Sequence, residues 1–193
     1  MERRRIEARW REATGTGLEQ LALTIGAEGI AAEGLVLGPA GGAGSPLGVE
    51  GRALRYALVC DPGWTLRRAT IARLGGETLT LLRGDDGSWH DGEGRRLRGL
   101  DGAIDLDLFA TPFTNTLPIR RLGLEIGESR DLVMAFVDLD AHGLTVAPAP
   151  QRYTRLAPRL WRFESLDADF TRDLLVDGEG LVVDYPGLFE RVG

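Results

Sequence analysis

Short apolar or alternating segments recur along the chain, separated by glycines and Asp-Gly pairs. Segments of about 4 to 8 residues with this patterning, bounded by turn residues, are typical of β-strands. Asp86-Gly87 and Asp177-Gly178 tolerate the positive φ of tight hairpins, so consecutive strands are predicted to pair antiparallel. The predicted strands are 18–25, 29–37, 52–61, 65–73, 77–83, 104–109, 131–139, 144–147, 151–156, 160–164, 170–176 and 181–185.

Helical patterning is scarce. One short helix is predicted, with Asn115 or Thr116 as its N-cap and Gly123 as its stop. Residues 2–12 fit either a second helix or the lead into the first strand. The chain is therefore predicted to be mainly β, with one or two short helices.

Several predicted strands are apolar on both faces, notably 132–137, 174–176 and 181–183. A sheet with one face in water would alternate instead. Because there are too few helices to form a second layer, two arrangements remain open: a sheet closed around a filled core, or a sheet curled around an apolar cavity.

The length of 193 residues fits one domain, residues 1–193. The stretch 38–48, GPAGGAGSPLG, is predicted to be a flexible glycine-rich loop. It is not a phosphate-binding loop, because it lacks the Gly-Lys-Ser/Thr ending.

Charge and cysteine usage exclude several classes of function. The 23 basic residues are all arginine, the net charge is −6, and the densest arginine run lies in the tail at residues 3–11, so no nucleic-acid partner is expected. With one cysteine, Cys60, and two histidines, His90 and His142, we expect no disulfide, metal or cofactor. We expect neither a secretion signal nor a membrane span, and therefore a cytoplasmic protein. Nothing in the sequence sets the oligomeric state.

Candidate catalytic groups are few. Asp105 and Asp107 alternate along one predicted strand, which places them on one face about 6.5 to 7 Å apart. Inverting glycosidases use carboxyl pairs at such a separation, but a solvated strand face explains the spacing equally simply, and we favour that interpretation. No serine lies in a Gly-x-Ser-x-Gly motif, so no catalytic residue is assigned.

The segment 111–122, TPFTNTLPIRRL, is the most distinctive in the chain. Hydroxyl and amide groups near a helix start can bind sugar hydroxyls or a phosphate, and arginine can bind an anion. The alternative is a rigid turn whose arginines pair with Asp105, Asp107 or Asp184. Aromatic residues with a polar tip lie near predicted strand ends and could line a pocket: Trp64, Trp89, Tyr153, Trp161 and Tyr185.

The chain resembles the bacterial putative glycolipid-binding family, formerly a domain of unknown function, over nearly its whole length. The segment TPFTNTLPIRRL and the ending DYPGLFER at 184–191 are the specific motifs. Further matching positions are Trp10 with residues 17–19, Tyr56, residues 61–64, residues 86–89, residues 105–107 and residues 151–154. The resemblance implies a large, strongly curved antiparallel sheet, similar to the half-open barrels of lipoprotein carriers, with a hollow that suits acyl chains.

Three hypotheses follow. We favour a non-enzymatic protein that binds a lipid or glycolipid in the concavity of the sheet. The alternatives are a hydrolase that uses Asp105 with Asp107 or Asp184, and an interaction module with a filled core. For the binding protein, the candidate ligand contacts are Trp64, Trp89, Thr114, Asn115, Arg120, Arg121, Tyr153 and Tyr185.

Overall fold

The structure, a computed structural model, describes residues 3–13, 16–38, 53–140 and 143–193. All of the predicted glycine-rich loop except Gly38 lies outside these ranges, as does His142.

A single sheet of fourteen strands makes up most of the described chain. The strands are β1 (Arg4–Glu12), β2 (Leu18–Gly26), β3 (Gly29–Leu37), β4 (Ala53–Cys60), β5 (Leu66–Arg73), β6 (Thr78–Arg83), β7 (Trp89–Asp91), β8 (Asp105–Leu108), β9 (Ser129–Asp140), β10 (Gly143–Ala157), β11 (Leu160–Ser165), β12 (Thr171–Val176), β13 (Val182–Tyr185) and β14 (Phe189–Arg191). The helical elements are two 3₁₀ helices, Arg98–Leu100 and Pro112–Asn115, and the α-helix α1 (Thr116–Leu122).

The sheet consists of two meanders joined where β1 pairs with β14. One meander runs outward from β1 to β7, and the other runs from β14 back to β9, beside which β8 forms the edge. β7 and β8 are thus the two edges, and the sheet is open. The prediction of a mainly β fold with a large, curved, half-open sheet is confirmed.

Strand pairing departs from the prediction at one edge. β8 and β9 pair in parallel, with Asp107 opposite Phe136, whereas antiparallel pairing was expected. The reason is the connection, because Pro112–Asn115 and α1 carry the chain back to the start of β9, and parallel pairs need such a crossover.

Other differences concern strand boundaries. Residues 4–12, left open between helix and strand, form β1. The predicted strands 144–147 and 151–156 are one continuous strand, β10, which passes through Pro148 and Pro150. β7 and β14 have three residues each, too few to show a period in the sequence.

Alternation places a nearly continuous buried row on the concave face of β2, including Glu19, Leu21 and Leu23. Gly34 on the neighbouring strand allows the ring of Tyr56 to lie across it: a Cβ at Gly34 would be 2.1 Å from Cζ of Tyr56. In the described ranges, no helix is long and apolar enough to span a membrane.

Candidate functional site

The concave face is partly filled by residues 111–122, which we call the plug. The side chain of Thr111 accepts a hydrogen bond from the Phe113 N–H (3.0 Å) and so caps the first 3₁₀ turn. Gly123 ends α1 in the left-handed conformation (φ 58°), as the sequence predicts. Every residue from 111 to 119 is buried, so the plug forms part of the core.

Three hydrogen bonds fix the plug: one from β10, one within the plug, and one to the turn between β12 and β13. The Tyr153 hydroxyl donates to Oδ1 of Asn115 (2.9 Å), and Nδ2 of Asn115 donates to the Pro112 carbonyl (3.2 Å). The Thr116 hydroxyl donates to the Gly180 carbonyl (3.0 Å). The amide group of Asn115 is thereby used within the protein at both its ends.

Beside the plug, a cavity of about 780 Å³ remains, opening between the concave face and the turn after β11. This volume lies within the range of small-molecule sites, about 300 to 1,000 Å³. Its large apolar side chains are Leu108, Phe109, Phe136, Leu139, Phe163, Phe170, Tyr185, Leu188 and Phe189. Its polar side chains are Asp107, Thr111, Asn115, Asp138, Gln151, Ser165 and Asp167.

A half-buried carboxyl, Asp107, and a buried amide, Gln151, form a pair in the cavity wall next to the plug. Nε2 of Gln151 donates to Oδ2 of Asp107 (2.6 Å), and the Thr114 hydroxyl donates to Oδ1 of the same carboxyl (3.3 Å). Burial raises the pKa of Asp107, although these two donors oppose the shift. Within the described residues, Oε1 of Gln151 is buried and accepts no hydrogen bond.

A second carboxyl, Glu19, is buried directly behind Thr111. Its Oε1 accepts hydrogen bonds from the Tyr56 hydroxyl (2.5 Å) and the Thr111 hydroxyl (2.7 Å). Burial raises the pKa of Glu19 from 4.5 to about 7, against the effect of both donors. Sequence analysis missed Glu19, although its alternation with Leu21 and Leu23 on β2 was a usable signal.

Asp105 is not on a solvated face, so that interpretation was wrong. Its side chain is 0% exposed, and Arg121 binds it through Nε and Nη2, the latter at 2.6 Å. Burial nevertheless raises the pKa of Asp105, opposed by Arg121. The plug pairs Arg121 with Asp105, and of the two carboxyls it is Asp107 that lines the cavity.

The candidate ligand contacts divide into three groups. Asn115 and Tyr185 line the cavity. Thr114 and Tyr153 lie one hydrogen bond behind it, through Asp107 and Asn115. The other four lie elsewhere: Trp64, Trp89, Arg120 and Arg121.

These four side chains contact other parts of the protein, as Arg121 does through its ion pair with Asp105. The Arg120 guanidinium lies over the Trp64 ring at 5.4 Å, and Trp64 itself has φ 68°. Trp89 is buried and donates its indole N–H to the Ala103 carbonyl (2.9 Å). In the described part of the chain, no group of His, Cys, Asp and Glu side chains is arranged to hold a metal ion.

Comparison with known proteins agrees with this architecture. A family model described as "Putative glycolipid-binding" matches residues 7–191. The crystal structure of a DUF1089 family protein from Pseudomonas aeruginosa is similar, with a TM-score of 0.75, 36% sequence identity and 92% of each chain covered. No match is found among proteins of curated function. By the extent of the family match and by this likeness, the chain belongs to the putative glycolipid-binding family.

Proposed function

We propose that this protein binds a lipid or glycolipid amphiphile, without chemical turnover, in the cavity beside the plug. The observation that carries the proposal is the cavity itself, about 780 Å³ of space lined by six aromatic side chains and by seven polar ones, four of which lie in or beside the plug. Each buried methylene of a ligand contributes about 0.8 kcal/mol, so an alkyl chain against these walls supplies most of the affinity.

The ligand's apolar part would contact Phe136, Phe163 and Phe170, and its polar part would lie at Asp107 and Gln151. Among the predicted contacts, we assign direct contact to Asn115 and Tyr185. Thr114 and Tyr153 then act indirectly, because each holds a group that lines the cavity. In this proposal Trp64, Trp89, Arg120 and Arg121 stabilise the plug and its surroundings.

The alternative hydrolase receives no support from the geometry. Glycoside hydrolysis by paired carboxylates needs both groups at the scissile bond. Asp105 is fully buried in its ion pair with Arg121, and Asp184 does not line the cavity, which leaves Asp107 without either partner. The cytoplasmic location stays a prediction from the sequence, to be tested by cell fractionation.

The test combines two measurements. Native mass spectrometry of protein purified without detergent, followed by solvent extraction, should release a bound amphiphile. Independently, the fluorescence of N-phenyl-1-naphthylamine, an uncharged apolar dye, should rise on binding to the emptied protein.

Ala149→Trp, which fills the cavity from β10, should abolish the dye signal. The matched control is Glu33→Trp, which adds the same side chain on the exposed face of β3 and should leave binding unchanged. Dye binding that survives Ala149→Trp in a folded protein, or the failure of the unmodified protein to bind dye, would contradict the proposal.

A further inference from the structure

Arg83 is an arginine without a partner on the concave face of the sheet. It follows the buried Leu81 by two positions on β6, which places both side chains on the same face. Arg83 is half-buried, and within the described residues nothing accepts a hydrogen bond from its guanidinium. Its Nε is fully buried, whereas both Nη groups remain accessible. Because a half-buried cation without an anion is unfavourable, these Nη groups are available donors for an anion.

A second arginine lies nearby, through one strand pair and two contacts. Arg83 pairs with Trp89 of β7, and the Trp89 indole donates to the Ala103 carbonyl (2.9 Å). Asp105 lies two residues further on and accepts from Nε and Nη2 of Arg121, in the plug. Nη1 of Arg121 has no described acceptor and is not buried. The sheet and the plug therefore each bring one guanidinium with free N–H groups to the same region.

The carboxylates in this region are already engaged. Both oxygens of Asp105 accept from Arg121. Oδ1 of Asp61 accepts from two backbone N–H groups, and its Oδ2 accepts from Arg67 (3.0 Å). Arg67 also binds Asp85, whose side chain is 97% exposed. Each of these carboxylates is used by another group, and none forms an ion pair with the unpartnered arginine.

The electrostatic surroundings of Arg83 agree with this description. Burial lowers the pKa of Arg83, and the charges of Arg67 and Arg121 lower it further. Asp105 and Asp61 act in the opposite direction but do not cancel the shift. A bound anion would offset both the burial of the charge and the repulsion between the arginines.

We propose that Arg83 and Arg121 together bind a phosphate group. A planar guanidinium matches two oxygens of an oxyanion, and a phosphate has oxygens for two arginines at once, whereas a carboxylate offers one such pair. Neither arginine lines the cavity, so the inference does not rest on the proposed function. The same chemistry fits inorganic phosphate and the phosphate of a lipid headgroup, and the test below distinguishes them.

Isothermal titration calorimetry of the full chain with inorganic phosphate, at constant ionic strength, should show one site, and acetate should bind more weakly. Arg83→Gln should weaken phosphate binding at least about tenfold, because it removes charge-assisted hydrogen bonds. Arg68→Gln is the matched control, since it makes the same change of charge at an exposed position of β5 and should leave binding unchanged. Absence of phosphate binding, acetate as tight as phosphate, or equal losses in the two variants would overturn the inference.

A second measurement uses the unmodified protein and so does not depend on the folding of a variant. In proton–nitrogen NMR spectra, phosphate should shift the Nε–H signals of Arg83 and Arg121 and leave that of Arg68 in place. A shift of the Arg68 signal as large as that of Arg83 would mean non-specific association and would contradict the inference.

Dodecyl phosphate, kept below its micelle concentration, identifies the source of the phosphate group. A larger loss of affinity for dodecyl phosphate than for inorganic phosphate in Arg83→Gln would support a lipid headgroup at this site. An equal loss for the two ligands would support free phosphate or a small phosphate ester.

Discussion

Glu19 should make the stability of the protein depend on pH, in the direction opposite to that of a carboxylate in a favourable ion pair. Its pKa rises from 4.5 to about 7 because the group is wholly buried. At about 1.4 kcal/mol for each tenfold change in proton affinity, ionising Glu19 in the folded protein costs about 3 kcal/mol more than in the unfolded chain.

The sign follows from the order of ionisation. Well below pH 4.5 the carboxyl is protonated in both the folded and the unfolded chain, so it does not lower the free energy of unfolding. As the pH rises from 4.5 towards 7, the unfolded chain ionises first and the free energy of unfolding falls. Above about pH 7 the full penalty of about 3 kcal/mol remains and no longer changes.

Glu19→Gln removes this dependence because an amide does not ionise. Its oxygen can still accept hydrogen bonds from Tyr56 and Thr111, so the local structure is kept. Urea denaturation at intervals between pH 4 and pH 8 gives the free energy of unfolding of both proteins. The variant's stability relative to the unmodified protein should increase by about 3 kcal/mol across that interval. Asp105 and Asp107, whose pKa values are also raised, change the free energy of unfolding with pH in the same way in both proteins. The difference in free energy between the two proteins therefore reports on Glu19.

Glu33→Gln is the matched control, because Glu33 lies exposed on the adjacent strand. The difference in free energy of unfolding between Glu33→Gln and the unmodified protein should stay constant with pH. A constant difference for Glu19→Gln as well would refute the reasoning, since it would mean that Glu19 ionises as readily in the folded as in the unfolded chain.

Two further substitutions test the packing of the concave face. Gly34→Ala places a methyl group 2.1 Å from the Tyr56 ring and should destabilise the protein by about 1 to 3 kcal/mol in thermal unfolding, whereas Gly99→Ala, with open space around it, should be nearly neutral. Arg121→Leu leaves Asp105 buried without its partner and should cost about 3 to 5 kcal/mol; adding Asp105→Leu should recover most of that loss, and no recovery would indicate that the pair is not electrostatically coupled.

The strands and α1 were predictable because their signals are local. Alternation, Asp-Gly turns and the stop at Gly123 each act within a few residues. The cavity was not predictable in this way. Asp107 and Gln151 are 44 residues apart, and Glu19 and Thr111 are 92 apart. The order of strands in the sheet brings the first pair together, and the position of the plug against β2 brings the second pair together.

The distinctive segment 111–122 shows why residue types alone misdirect the assignment of a site. Its hydroxyls, amide and arginines suggested a headgroup site, yet Thr111, Thr114 and Asn115 direct their polar atoms at protein partners. Such a segment must satisfy its own polar groups once it is buried, and a motif rich in them is then a folding signal.

The plug decides how much of the concave face is left for a ligand, whereas β9, β10 and β11 supply nine of the twenty residues that line the cavity. Substitutions in the plug should therefore affect stability and binding together. Changes at wall positions such as Ala149 and Phe163 should alter ligand choice with little effect on the plug, since neither side chain takes part in its hydrogen bonds. Under the proposed function we therefore expect the walls to set ligand specificity, whereas the segment 111–122 builds the architecture that leaves room for the cavity.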